Sequence, residues 1–162
     1  MPLKANRSRA LIPGRELAVR FEDCWAKTTE SGHPGICVAD HCLAVGYVAA
    51  CLIEGLPARP MPAFCRHCAA TLAALHDVGK VAPGFQAKCA TWCLRYGLTA
   101  TDTQGQETDH AAIGQMAVQE WLGGAESAVR YWAVVIGAHH GSAKDDVLVA
   151  ARRGGGAAWA RE

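Results

Sequence analysis

From Asp40 onward the apolar positions recur at helical rather than strand spacing. Asp40 has the chemistry of an N-cap, and His41, Val45, Val48 and Leu52 follow at steps of four, three and four, which predicts one inward face of a helix ending at Gly55. Pro60 and Pro62 open a second helix with the stripe Cys65, Ala69, Leu72 and His76, closing near Gly79. After a break at Pro83-Gly84, a third helical run covers Phe85 to Tyr96 and a polar loop runs from Gly97 to Asp109. Thr108 or Asp109 caps a fourth helix, with His110, Ile113, Ala117 and Trp121 on one face and Gly123-Gly124 as its stop. A fifth, strongly apolar element spans Ser127 to Ala138 and runs into His139-His140-Gly141. No internal repeat and no useful strand alternation is present, so the expected class is all-α, a compact helical bundle.

Residues 1–32 read as an N-terminal arm or short helix, with one apolar stretch from Leu17 to Trp25. Residues 33–146 read as one domain, and 147–162, with Arg152-Arg153 and three glycines, as a flexible tail or truncated end. At ~100–200 residues per domain, 162 residues exclude a second catalytic or motor domain. Sixteen Lys and Arg against fifteen Asp and Glu leave a net charge of +1, so a nucleic-acid site has to be a local patch. An apolar content of 51% with three Phe and three Tyr favours closely packed helices over a β-sandwich.

The start, Met1-Pro2-Leu3-Lys4, lacks the apolar stretch of a signal peptide. The runs Ala44 to Ile53 and Trp132 to Ala138 fall short of the ~20 residues that span a bilayer. A cytoplasmic protein without a membrane partner is the expectation. On that basis most of the eight Cys, Cys42 and Cys51 among them, are expected to be reduced core residues rather than a disulfide framework.

Candidate chemistry lies in the histidines. Four helical elements bring one to an inward face or end: His41, His76 followed by Asp77, His110, and the pair His139-His140. Isolated buried polar groups of this kind are costly, whereas a bound metal satisfies them. Neutral imidazole suits Zn, Fe, Ni, Co or Mn, and one Asp can bridge two ions. His76 and Asp77, ~100° apart if helical, can serve different ions. Taken singly, each has an ordinary explanation: a satisfied His41, a chance His-Asp, or His-His as a helix end favoured by the macrodipole. Their joint occurrence favours metal. His33 and His67 have no such placement and read as structural or surface residues. Cys65-x-x-Cys68 followed by Cys89-x-x-x-Cys93 is the rival zinc spacing, but both pairs fall in helical runs whose faces they line without a metal.

The blocks Leu75-His76-Asp77-Val78-Gly79-Lys80, Pro83-Gly84-Phe85-Gln86, Asp109-His110-Ala111-Ala112 and Ile136-Gly137-Ala138-His139-His140-Gly141, with His41 before them, resemble the HD superfamily of metal-dependent phosphohydrolases. Within it the chain is most similar to the HD nuclease domain of type I CRISPR interference, found fused to a helicase or as a separate chain. The resemblance spans about residues 33 to 146 and implies an HD-domain helical bundle. It implies two adjacent metal sites: His41, His76 and Asp77 at one, and Asp77, bridging, with His110, His139 and His140 at the other. The ions would be Mn, Fe, Ni, Co or Mg, one or two per chain, activating water for in-line attack. Asp77 and Lys80 would be the catalytic residues, Lys80 beside the scissile phosphate; its rival reading is a solvated charge at a helix end. The implied function is hydrolysis of single-stranded DNA in antiviral defence, with a helicase domain or subunit and an RNA-guided surveillance complex as partners. The alternatives are a phosphohydrolase of nucleotides or other small phosphate esters, and a non-catalytic interaction module. The family's late Asp has no counterpart; Asp145 and Asp146 follow His140 too closely, so the chain looks cut short and the site at His41 and His76 is expected to be the weaker one.

Overall fold

The computed structural model describes residues 19–56, 63–98, 109–122 and 127–141. The readings of Pro60 and Pro62, Thr108, Gly123-Gly124, Asp145 and Asp146, the start of the arm and the C-terminal tail lie outside them. Among the described residues the structure is helical, without a strand. Its helices are α1 (Val38–Gly55), α2 (Ala63–Leu75), the single turn α3 (Pro83–Gln86), α4 (Ala90–Tyr96), α5 (His110–Trp121) and α6 (Ser127–Gly137), with 3₁₀ turns at Phe21–Asp23, Val78–Val81 and Ala138–His140.

Helix α1 begins two residues before the expected cap. The N–H of Val38 bonds the carbonyl of Cys24 at 2.8 Å, and Cys37 is the cap, its Sγ accepting from the Asp40 N–H at 3.3 Å. Asp40 therefore sits in the first turn, where a negative charge favours the helix dipole. The inward face keeps His41 and Val45 of the expected stripe but continues through Val38, Cys42, Gly46, Ala49 and Ile53, whereas Val48 and Leu52 are 59% and 66% exposed. Small residues decide this phase. A Cβ on Gly46 would lie 2.9 Å from the Cβ of Ala74, so α1 and α2 touch where neither carries bulk. At 18 residues α1 also meets, by length and composition, the requirement for a bilayer span that its apolar run alone did not. One such helix is weak evidence, and α1 packs along α2.

The expected second helix stops at Leu75, four residues before Gly79, and Ala69 of its stripe is exposed. The expected run from Phe85 to Tyr96 is two pieces, because the chain leaves the helix after Gln86 and restarts with Cys89 as the cap of α4. Helix α4 closes on Gly97 at φ +68°. Helix α5 is the central element, with Ala111 to Met116 and Val118 buried, and it packs on α6 and on the turn Val78–Val81. Trp121, expected on its inward face, is 72% exposed.

Among the described residues, hydrophobic clusters meet the turn Val78–Val81 at Val78 and at Val81. Val118, Ala133 and Ile136 gather Leu72, Leu75 and Val78. Cys24, Trp25, Ala26, Val38, Phe85, Cys89 and Trp92 form the other. The described part of the segment read as an arm, from Val19 on, thus supplies core residues: the chain folds back through isolated bridges Trp25 to Cys37 and Thr28 to Pro34, turning at Gly32. Gln86 locks it in place. Its side-chain amide donates to the carbonyls of Trp25 (2.9 Å) and Lys80 (2.6 Å), and its Oε1 accepts from the Trp25 N–H (3.0 Å). The indole N–H of Trp25 returns a bond to the Gln86 carbonyl at 3.1 Å. Of the cysteines expected inside, Cys24 and Cys89 are buried, whereas Cys51 is exposed because it lies on the outer face of α1.

Candidate metal centre

Asp77 follows the end of α2, where the chain turns into the 3₁₀ segment, and its carboxylate is buried. Oδ2 lies 2.9 Å from His41 Nε2, 3.0 Å from His76 Nε2 and 2.6 Å from Lys80 Nζ. Oδ1 lies 3.1 Å from His110 Nε2 and 3.5 Å from His139 Nε2. His140 reaches the group through His110, the two Nε2 atoms 3.0 Å apart. All six residues singled out for metal therefore converge, from α1, the end of α2, the start of α5 and the turn after α6. They form two sets, His41, His76 and Asp77, and His110, His139 and His140, each with its ligand atoms within 4.8 Å of one another. Asp77 Oδ1 joins the second set to the first.

The backbone sets this spacing. A Cβ on Gly79 would come 2.0 Å from the His110 carbonyl oxygen and 2.4 Å from the Gly114 nitrogen, so the turn bearing Asp77 lies directly on the α5 main chain. At the start of α5, Asp109 caps the helix by accepting from the Ala111 N–H at 3.0 Å and the Ala112 N–H at 3.4 Å, which orients His110 as the first helical residue. A Cβ on Gly137 would overlap Gln115 Oε1 at 1.9 Å, so the end of α6 is seated equally closely before His139.

Two rings have their tautomer set by a carbonyl. His76 Nδ1 and His139 Nδ1 each lie 2.7 Å from the carbonyl oxygen three residues back, of Ala73 and Ile136. A carbonyl only accepts, so both Nδ1 atoms donate and, in the neutral rings, both lone pairs sit on Nε2, facing the group. His139 Nε2 then meets His110 Nε2 at 3.3 Å. Converging lone pairs repel unless a proton or a cation stands between them. Imidazoles held by their outer nitrogen to a carbonyl, with the inner nitrogens aimed at one another and at a carboxylate, are the donor set and surroundings of a divalent metal. The residues present fit such an ion.

Electrostatics agree with this picture. Burial opposes ionisation of Asp77, but hydrogen bonds from His110, His76 and Lys80 outweigh it and hold the carboxyl far below the usual range, so it is an anion. The bond to Asp77 lifts His76 above the ordinary imidazole value against the opposing effect of burial. For His41 burial is the stronger effect and lowers it, despite the same carboxylate.

Lys80 is 8% exposed, which overturns the solvated-charge reading. Besides Asp77, its ammonium reaches the Ala26 carbonyl at 3.4 Å and lies 5.4 Å from the centre of the Phe85 ring. Phe85 in turn stands edge-on to His110, centroids 5.1 Å apart. Trp25, Phe85 and Gln86 are thus the support of the site that residue patterns missed: Phe85-Gln86 carried part of the resemblance but no role, and nothing periodic marks Trp25. His33 is exposed. Among the described residues neither ligand set includes a cysteine. Cys89 is the cap before α4, not inside a helix, and its thiol lies against Thr91 Oγ1 at 3.3 Å, while Cys93 faces the Gln86 carbonyl at 3.9 Å.

No curated protein and no solved structure matches the chain. Among family models, the one described as "Cas3, HD domain" matches residues 25–161, which takes in Trp25 and every residue of the two ligand sets. The chain belongs to the family of Cas3 HD domains.

Proposed function

We propose that the chain hydrolyses phosphodiester bonds of single-stranded DNA in CRISPR defence, in the cytoplasm, with a helicase domain or subunit and an RNA-guided complex supplying the strand. Family membership implies a CRISPR-associated, metal-dependent nuclease type of function. The observation that carries the finer reading is the sharing of one buried carboxylate, each oxygen of which faces a different group of imidazoles. One or two divalent ions (Mn, Fe, Ni, Co or Mg) at these nitrogens would supply Lewis acidity and a lowered water pKa, the chemistry that phosphodiester hydrolysis needs.

The chain's own residues do the rest. Asp77 keeps its charge at any working pH and holds His41 and His76 on one side and His110 on the other. His76 and His139 are kept from rotating by their carbonyl bonds. Lys80 fixes a positive charge beside the carboxylate, where a phosphate oxygen would gain from it. His140 is the exposed member, so the second set is the side open to solvent and to a strand. The near-zero net charge of the chain fits delivery by partners rather than capture by a long-range field.

The test is cleavage of a fluorescent oligothymidylate by protein purified without a metal-affinity tag and supplied with Mn²⁺, alongside elemental analysis. Metal-dependent cleavage of the strand, faster than release of phosphate from nucleotides, is expected. Bound metal with nucleotide hydrolysis alone would favour the small-ester alternative, and a protein that takes up no metal would favour the interaction module.

A further inference from the structure

One exposed cation is tied to the centre through Phe85. The short turn after α3 returns the Lys88 N–H to the Phe85 carbonyl at 3.0 Å. Lys88 is exposed, yet its ammonium sits over the Phe85 ring, 4.8 Å from the centroid. The same ring stands against His110, and His110 against the exposed His140, centroids 5.0 Å apart. Lys88, Phe85, His110 and His140 therefore form a connected series that begins and ends in solvent, and the buried Lys80 and Asp77 touch it at Phe85 and His110. Two ammonium groups meet the Phe85 ring, that of the buried Lys80 at 5.4 Å and that of the exposed Lys88 at 4.8 Å from its centroid.

A phosphodiester held at His110, His139 and His140 belongs to a strand whose next phosphate lies at least ~3.4 Å further along, and more in an unstacked backbone. On the Phe85 flank the contacts lead from His110 to an exposed cation, Lys88, over the same ring. A cation over an aromatic face is held electrostatically and remains extended over the ring, so less of its side-chain freedom is lost on meeting a phosphate. We propose, resting on the nuclease reading above, that Lys88 binds the backbone phosphate flanking the scissile bond and makes the site selective for a polynucleotide over a small phosphate diester. Specificity here is electrostatic and independent of the base, because it is read from the backbone.

The experiment compares wild type, Lys88→Ala, Lys88→Arg and Lys88→Glu on two substrates with Mn²⁺: an oligothymidylate and bis-p-nitrophenyl phosphate, a diester with no neighbouring phosphate. Oligothymidylate binding is measured in parallel by fluorescence anisotropy across a salt series. Lys88→Ala should lower kcat/KM on the oligonucleotide by about five- to tenfold, chiefly through KM, and flatten the plot of log affinity against log salt by about 0.7. The bis-p-nitrophenyl phosphate rate should stay within about twofold, Lys88→Arg should restore the strand preference, and Lys88→Glu should weaken it further. An unchanged KM and salt slope in Lys88→Ala, or an equal loss on both substrates as a merely structural role of Lys88 against Phe85 would give, overturns the proposal. Should wild type cleave neither substrate, the nuclease reading fails on its own, and the salt slopes of wild type and Lys88→Ala still decide whether Lys88 meets a phosphate.

Discussion

The Nδ1 atom of His139 lies 2.7 Å from the carbonyl oxygen of Ile136, one turn earlier, and His76 stands in the same relation to Ala73. In the neutral ring the Nε2 lone pair is thereby turned toward the group, where an ion would find it. A site preorganised in this way loses little entropy on loading, so its affinity is sensitive to the loss of any one donor.

Asp77 is the only carboxylate in the two ligand sets. Asp77→Asn keeps the volume but removes the charge that holds four imidazoles and Lys80. We expect loss of bound metal and at least a ~100-fold fall in strand cleavage with the fold retained. Elemental analysis and circular dichroism on the same sample check both halves. His41→Ala should cost less, because it removes one donor and leaves the carboxylate that faces both sets in place.

Gly79→Ala pushes a methyl group into the His110 carbonyl and the Gly114 nitrogen, main-chain atoms that cannot move aside. A loss of about 3 kcal/mol or more is expected in urea unfolding. Gly55→Ala, at the end of α1 with nothing within 4 Å of the new Cβ, is the control and should raise stability by ~0.4–1 kcal/mol.

Gln86→Leu is close in size and leaves three buried backbone groups unpaired: the Trp25 N–H and the carbonyls of Trp25 and Lys80. At ~1–3 kcal/mol for each orphaned group, the expected destabilisation is ~3 kcal/mol or more. Tryptophan fluorescence during urea unfolding reports it directly, since Trp25 should leave its buried environment first. A stability unchanged from wild type would mean that the arm is not held by this residue.

Alkaline pH should unfold the chain through groups buried in their neutral forms. Burial pushes the Cys24 thiol up from 9.0 to about 12 and the Tyr96 hydroxyl from 10.0 to about 12. In each case the folded state keeps its proton longer than the unfolded one, so the contribution to stability is complete below about pH 9 and falls as pH rises towards 12. Urea midpoints measured across that range should decline steadily, and Cys24→Ser should remove part of the slope.

The convergence of the candidate ligands was legible in the sequence because each lies at a helix end or first turn, where the order of elements suffices to place it. His110 follows its cap, and His139-His140 precedes the glycine at φ +96°. Asp77 needed only the end of α2. The phase of α1 was not legible: with Leu43, Tyr47, Val48 and Leu52 on the outside and Val45 and Ile53 inside, it is apolar nearly all round, and periodicity has nothing to choose between. The close approach at Gly46 chose instead. Trp25 was hidden for a different reason: the segment that carries it has no period at all, and the bond from Lys80 to the neighbouring Ala26 carbonyl joins residues 54 positions apart. The break after Gln86 escaped notice because a single turn of helix and a 3₁₀ turn carry too few residues for a pattern.

The contact of Gly79 with α5 has one more consequence. Where two stretches of main chain rest against each other, the gap between Asp77 and His110 is a gauge that replacing a ligand side chain leaves as it is, so long as Gly79 stays glycine. Exchanging an imidazole can change which ion the centre prefers, but the width available to that ion is built into the peptide backbone. Re-engineering the metal preference of this fold is thus a matter of swapping donors on a fixed frame.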